Sequence, residues 1–133
     1  MNDVEGFVFT EVAKILRKEF EGVYVTGEYN PVPPSFPAVS IEETDNYLDP
    51  MFFDDTDREI TGLTYSFNIY SAKKTGRKAE AKAILASIDK VMRSLNFIRY
   101  SSGTVDNMAD ASIYRLVATY RGETDGTWFY RKG

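Results

Sequence analysis

The chain has 133 residues, with 20 acidic and 16 basic side chains, a formal net charge of −4, and neither cysteine nor histidine. This length suits one domain, and 43 % hydrophobic residues can fill a core, which argues against a disordered or disulfide-dependent protein. Thiol nucleophiles, Ser-His-Asp triads and zinc sites built on Cys or His are excluded. We expect a single domain over residues 1–133, without a cofactor, a metal or catalytic activity.

No segment of the sequence has the pattern of a signal peptide or of a membrane span. Asp3 and Glu5 stand where a signal peptide carries Lys or Arg, and no apolar run approaches the roughly 20 residues of a membrane span. We therefore expect a soluble protein of a cytoplasmic compartment.

The chain begins with a predicted amphipathic helix over residues 2–20. Its apolar side chains recur at three- and four-residue steps, which places them on one stripe. Asn2 and Glu5 fit a capping box, and Gly22 fits a stop signal. The stripe consists of Val4, Phe7, Val8, Val12, Ile15, Leu16 and Phe20.

Two strands and a stiff loop are predicted next. Residues 23–26 form a short strand candidate, and a second strand begins at Ala38, Val39 and Ile41. Four of the five prolines fall within residues 31–37, where they keep the chain extended. A polyproline ligand would use the same spacing. The adjoining strand favours a stiff loop.

Residues 59–72 alternate clearly between apolar and polar side chains, as a half-buried strand requires. Leu63, Tyr65, Phe67 and Ile69 share one face. At strand rise this segment would span roughly 45 Å, much longer than a usual strand of five or six residues. We expect part of it to project from the body of the protein.

A second helix over residues 77–95 and further strands at 97–101 and 112–121 complete the pattern, and 128–130 can add a short edge. The predicted order is α-β-β-β-α-β-β. We therefore expect an α+β two-layer sandwich, with a mainly antiparallel sheet of four or five strands, two helices on one face and a long central β-hairpin.

Charge is distributed very unevenly along the chain. Residues 42–59 carry eight acidic side chains against one basic, a local charge of −7. Residues 73–99 carry eight basic side chains against two acidic, a local charge of +6. The small net charge therefore conceals two strong and opposite patches.

The acidic stretch is interpreted as a solvated or partner-facing loop. The stretch does not match a calcium site of the EF-hand type, because Ile60 occupies the position that needs glycine and Ser66 occupies the position that needs a bidentate glutamate. A looser cation site is the alternative. The stretch also holds apolar residues that can pack on this chain or on a neighbour, namely Tyr47, Leu48, Met51, Phe52 and Phe53.

The basic patch begins with a cluster of Lys73, Lys74, Arg77 and Lys78 at the start of the second helix, where the helix dipole prefers negative charge. A partner carboxylate or phosphate would offset that cost, and solvated lysines are the alternative. Nucleic acid is a weaker partner, because the chain is acidic and the cluster lacks aromatic neighbours. Glu80 with Lys82 matches only a fragment of a nuclease motif.

The chain resembles the tail-terminator or tail-completion proteins of bacteriophages with long, non-contractile tails. The resemblance covers nearly the whole chain as a pattern of apolar and aromatic positions. It is carried by Ile15 and Leu16, by residues 36–41 and 63–70, and by residues 113–121.

This resemblance implies a virion protein that assembles in the host cytoplasm into a ring, a hexamer, at the head-proximal end of the tail tube. It implies three partners: further copies of the chain, the tail tube protein and a head-completion or connector protein. It implies no membrane contact and no nucleic acid except DNA passing through the lumen. The ring would stop tube growth and form the head-joining surface.

A ring needs two different patches that meet around a rotation axis. We therefore expect the residues around Asp54 to Glu59 to approach Lys73 to Lys78 of the neighbouring subunit. Pairing within one chain is the alternative. The expected interface residues are Phe52, Phe53, Asp54, Asp55, Asp57, Glu59, Lys73, Lys74, Arg77 and Lys78.

Other functions stay open at this point. A neck, head-completion or minor tail protein would share the pattern. From other classes, a cytoplasmic ligand- or protein-binding module and a carboxylate-based, metal-dependent hydrolase are the alternatives. Arg131 and Lys132 could form a partner-binding tail.

Overall fold

One mixed sheet organises the protein. A computed structural model describes residues 2–48, 59–107 and 110–130. The elements in chain order are α1 (Glu5–Glu19), β1 (Tyr24–Thr26), β2 (Ala38–Leu48), β3 (Thr61–Ser71), α2 (Arg77–Ser94), β4 (Ile98–Thr104), β5 (Tyr114–Thr124) and β6 (Phe129–Tyr130). The sheet order is β1-β2-β3-β5-β4, and β6 pairs with the end of β5. Among the strand pairs of the described residues, only β1–β2 is parallel.

The predicted α+β class and element order are confirmed. The described residues contain six strands, rather than four or five, because Phe129 and Tyr130 pair with Thr124 and Glu123. The predicted central hairpin is formed by β2 and β3, which pair from Ala38 opposite Tyr70 to Leu48 opposite Thr61.

The prediction that part of the third strand projects from the body is wrong. β3 has 11 residues, and both of its neighbours, β2 and β5, have the same length. Each residue of β3 has a partner on β5, and β2 pairs along nearly all of the opposite side. The full length of β3 is therefore paired within the sheet.

Both helices pack on one face of the sheet and share its core. Side chains from alternate positions of β2, β3 and β5 enter one buried cluster with the apolar stripes of α1 and α2. Tyr65 meets Phe97, and Phe67 meets Tyr120, in edge-to-face geometry with ring centroids 5.5 and 5.4 Å apart. Each such pair contributes about 0.5–1.5 kcal/mol beyond its buried area. No helix among the described residues is long and apolar enough to cross a membrane.

The predicted capping box of the first helix is wrong. The N-cap is Val4, which makes no side-chain cap bond. Asn2 instead donates its amide to the sheet, and Oε2 of Glu5 accepts a 3.0 Å bond from the backbone N–H of Glu43. Both side chains therefore have tertiary hydrogen-bond partners, acceptors for Asn2 and a donor for Glu5.

Two further details of α1 differ from the predicted helix over residues 2–20. Phe7 was expected on the buried stripe, but it is 47 % exposed and stacks on Phe129 with ring centroids 5.9 Å apart. The helix ends at Glu19, and Gly22 (φ +76°) lies in the following turn rather than at the helix end. The left-handed backbone at Gly22 suits a residue without a Cβ.

Candidate functional site

The basic cluster lies at the start of α2, as predicted, and directly after the end of β3. Lys73 and Lys74 follow β3, and Arg77 and Lys78 open α2. The N-cap of α2 is Gly76, which has no side chain to satisfy the free N–H groups. All four cations are exposed, so they form an accessible positive surface, which we call the Lys73 end.

Two members of the cluster already have partners within the chain. Lys73 Nζ lies 3.4 Å from Oε2 of Glu80, whose other oxygen accepts a 2.7 Å bond from the Ser71 hydroxyl. Arg77 donates a 2.7 Å bond to the carbonyl of Ser112. Glu80 therefore links the end of β3 to the start of α2. Both of its carboxylate oxygens have partners there, so it is not a free carboxylate of a nuclease motif.

The acidic stretch is only partly a loop. Its first three acidic residues, Glu42, Glu43 and Asp45, lie on β2, so the loop prediction is wrong for them. Phe52, Phe53, Asp54, Asp55 and Asp57 lie outside the described residues. Glu59 is half-buried, and its carbonyl accepts a 2.9 Å bond from the Asn2 amide.

Glu59 and Lys73 lie at opposite ends of the central strand, β3. Glu59 precedes β3 and Lys73 follows it. The 11 residues of β3 rise roughly 36 Å at about 3.3 Å each. Glu59 and Lys73 of one chain therefore cannot contact each other.

The sheet face away from the helices is partly covered at the Lys73 end. The proline-rich loop over residues 27–37 crosses it there, and the Arg115 guanidinium lies over the ring of Tyr29, 5.3 Å from the centroid. Arg115 also donates a 2.9 Å bond to Oδ1 of Asn68. The Asn107 amide donates a 3.0 Å bond to the carbonyl of Pro31. This packing agrees with the stiff-loop interpretation of the prolines.

The strand β4 forms a free edge of the sheet. Within the described residues it pairs only with β5, and all seven of its residues are exposed. Ile98 is 51 % exposed and Tyr100 is 63 % exposed. The guanidinium of Arg121 lies 3.9 Å from the ring centroid of Tyr100. An open strand edge with exposed apolar side chains is a surface on which another strand can pair.

Two buried tyrosines, Tyr65 and Tyr120, make hydrogen bonds within the fold. Tyr65 donates a hydrogen bond to Glu43, and Tyr120 donates one to Asp89, both at 2.9 Å. Burial raises the pKa of each tyrosine well above its usual value, so neither hydroxyl is an activated nucleophile. Across residues 2–48, 59–107 and 110–130, no group of three or more His, Cys, Asp or Glu could hold a metal ion.

Sequence reasoning missed the β4 edge, although a signal is present. Residues 98–104 hold only two large apolar side chains, Ile98 and Tyr100, and the other residues are charged, polar or glycine. A strand with so few apolar residues is typical of an exposed edge. Asn2 is predicted as a helix cap, but its three acceptors are distant in sequence, at Glu59, Thr61 and Thr124.

No protein-family model matches the sequence, and no curated protein matches it.

Proposed function

We propose that this chain is a structural subunit of a bacteriophage tail. In this proposal it forms a ring at the head-proximal end of the tail tube, terminates polymerisation of the tube and provides the surface to which the head joins. The proposal depends on the resemblance to tail-terminator proteins and on one feature of the fold.

That feature is the placement of opposite charge at opposite ends of β3. Glu59 and Lys73 lie too far apart to contact each other within one chain, so a contact between these two positions requires two copies of the chain. Contacts between different patches are heterologous, and they generate rings when the rotation closes. In this ring the stretch around Asp54 to Glu59 of one subunit approaches Lys73, Lys74, Arg77 and Lys78 of the next.

The cluster is well placed for such a contact. Lys74 and Lys78 are exposed beside the uncapped first turn of α2, where the helix dipole favours an incoming carboxylate. Attraction between exposed charges mainly sets the rate and the register of association. The interface should therefore weaken as salt is added.

Two measurements on the full chain test this proposal. Light scattering at low and moderate salt should give the mass of a closed ring. Negative-stain images of the chain mixed with tail tubes should show a ring capping one end of each tube. A chain that stays monomeric at all concentrations and attaches to no tube would contradict the proposal. Rings that leave tubes uncapped would instead favour a neck or head-completion protein.

A protein-binding module is the second candidate function. The observation that favours it is the free edge of β4, because such an edge can bind an extended segment of another protein. Binding without ring formation would distinguish this function from the first.

A further inference from the structure

The free edge of β4 lies between two cavities, one on each face of the sheet. The cavity on the outer face has a volume of about 220 Å³ and is lined by Tyr47, Ile98, Tyr100 and Arg121, among others. The cavity on the helix face has a volume of about 360 Å³ and is lined by Asp89, Arg93, Phe97, Ile98 and Arg99. Ile98 lines both, at the start of the strand.

This arrangement matches how a sheet edge binds an added strand. Backbone N–H and C=O groups of the edge provide hydrogen bonds, and pockets beside the edge select side chains. Successive side chains of an extended segment point to opposite faces. Two neighbouring residues of an added strand would therefore lie on opposite faces, one beside Ile98 and Tyr100 on the outer face and the other beside Arg99 on the helix face.

The outer face of β4 suits an apolar or aromatic side chain. Tyr100 is 63 % exposed, and Ile98 is 51 % exposed. Covering such surface contributes about 25 cal/mol for each Å² of apolar area removed from water. Arg121 is already engaged with the ring of Tyr100.

The cavity on the helix face suits a carboxylate. Arg93 and Arg99 share the single carboxylate of Asp89, at 3.8 and 3.9 Å. Both distances exceed a hydrogen bond, and Asp89 already accepts a 2.9 Å bond from Tyr120. The two guanidinium groups therefore keep donors for an incoming acidic side chain, which would bind in charge-assisted geometry.

We propose that the β4 edge binds an extended segment of a partner protein in which an apolar or aromatic residue stands next to Asp or Glu. The segment pairs with β4 as an additional strand, places its apolar side chain against Ile98 and Tyr100, and places its carboxylate between Arg93 and Arg99. Charge complementarity at the arginine pair identifies the partner as acidic. This site is separate from the Lys73 end and does not depend on ring formation.

The test uses two synthetic peptides of eight residues, one alternating phenylalanine with glutamate and one alternating phenylalanine with lysine. Fluorescence anisotropy with the full chain should show saturable binding of the glutamate peptide. The lysine peptide should bind at least about tenfold more weakly, because like charges would then meet at the arginine pair. Backbone amides of β4 should become protected from hydrogen exchange in the complex.

Two variants locate the site. Arg99→Glu should weaken binding of the glutamate peptide by at least about tenfold, and Tyr100→Ser should weaken it by removing apolar surface on which the peptide side chain packs. Lys14→Glu is the matched control, because Lys14 is an exposed cation on α1 and the change in charge is identical. It should leave binding unchanged. Thermal melts establish that each variant is folded.

Three outcomes would overturn the proposal. They are absence of binding, binding that Arg99→Glu leaves intact, and exchange protection at the Lys73 end instead of at β4. If Arg99→Glu and Tyr100→Ser change the oligomeric mass of the chain but no peptide binds, the edge belongs to a second copy and the proposal is also wrong. Ring formation without peptide binding contradicts this inference alone, and peptide binding without rings contradicts the proposed function alone.

Discussion

The hydroxyl of Tyr65 donates a 2.9 Å hydrogen bond to Oε1 of Glu43, its direct neighbour across the β2–β3 pair. Burial raises the pKa of both groups. The charges of Glu5 and Asp3 raise the pKa of Glu43 further, whereas the bonds from Tyr65 and Asn46 lower it. Because Glu5 also accepts the backbone N–H of Glu43, this pair joins the start of α1 to the central hairpin.

Alkaline pH should destabilise the protein through its buried tyrosines. Burial raises the pKa of Tyr70 to about 12, and it also raises the pKa values of Tyr65 and Tyr120. Tyrosines of the unfolded chain ionise near pH 10. Because the pKa of Tyr70 is higher in the folded chain, the neutral tyrosine contributes stability that is fully present below about pH 10. This stability is lost as pH rises through about 12. Urea unfolding at stepped pH should show the free energy of unfolding declining above about pH 10.

Single phenylalanine variants provide the check on this pH dependence. Tyr120→Phe should cost about 1 kcal/mol at neutral pH, through the lost bond to Asp89, and should make the alkaline decline shallower. Tyr100→Phe, at an exposed position, is the matched control. An unchanged decline in Tyr120→Phe would assign the pH dependence to other groups.

Asn2 should tolerate alanine better than aspartate. Its amide donates to the carbonyls of Glu59 and Thr124 and to the hydroxyl of Thr61. Asn2→Ala should cost about 1–2 kcal/mol of stability through these lost bonds. Asn2→Asp should cost more at neutral pH, because a carboxylate would face two carbonyl oxygens.

Low pH distinguishes this explanation from a general loss of packing. Protonation of an aspartate at position 2 restores one donor, so the stability of Asn2→Asp should approach that of Asn2→Ala as pH falls below about 4. Asn30→Asp is the matched control, because Oδ1 of Asn30 accepts a bond from Val32 and a carboxylate keeps that acceptor. Equal destabilisation by both aspartate variants would contradict the prediction.

Two glycines that face aromatic rings should respond differently to alanine. A Cβ at Gly122 would overlap the ring of Phe97, which is buried in the core, whereas a Cβ at Gly62 would overlap only the far end of Tyr47, which is 42 % exposed. Gly122→Ala should therefore cost about 2–3 kcal/mol, and Gly62→Ala about 1 kcal/mol or less. Chemical denaturation measures both. Equal costs would show that Tyr47 is held as firmly as Phe97.

Reversing charge at the Lys73 end should weaken assembly. Lys74→Glu combined with Arg77→Glu should lower the association constant by at least about tenfold, and added salt should weaken assembly of the unaltered chain in the same direction. Lys14→Glu combined with Lys18→Glu makes the same change in charge at exposed positions of α1. It should leave the mass from light scattering unchanged. An unchanged mass in the first variant would exclude this surface from the interface.

The fold was largely predictable because its core elements have strong periodicity. Leu63, Tyr65, Phe67 and Ile69 alternate and are all buried on β3, and the stripes of both helices enter the same core. The second half of β2 was not predictable, because acidic residues are uncommon in strands. Glu43 is held there by a hydrogen bond from Tyr65, a residue far away in sequence.

The candidate surfaces were less predictable than the core. The cluster from Lys73 to Lys78 was visible as local charge, since charged residues at a helix start need no tertiary information to be found. The β4 edge and its two cavities depend on the positions of Tyr47, Arg93 and Arg121, which are brought together only by folding. The acidic residues 54–57 lie outside the described part of the chain, so their pairing with the basic cluster stays a prediction.

The sheet order also sets the sequence of events during synthesis. β3 pairs on one side with its chain neighbour β2, but its other partner, β5, emerges from the ribosome only after α2 and β4. The hairpin can form early because its contacts are local, whereas the β3–β5 ladder needs a long loop to close. A nascent chain that ends before β5 should therefore expose one long edge of β3, and such chains should require a chaperone to stay unaggregated.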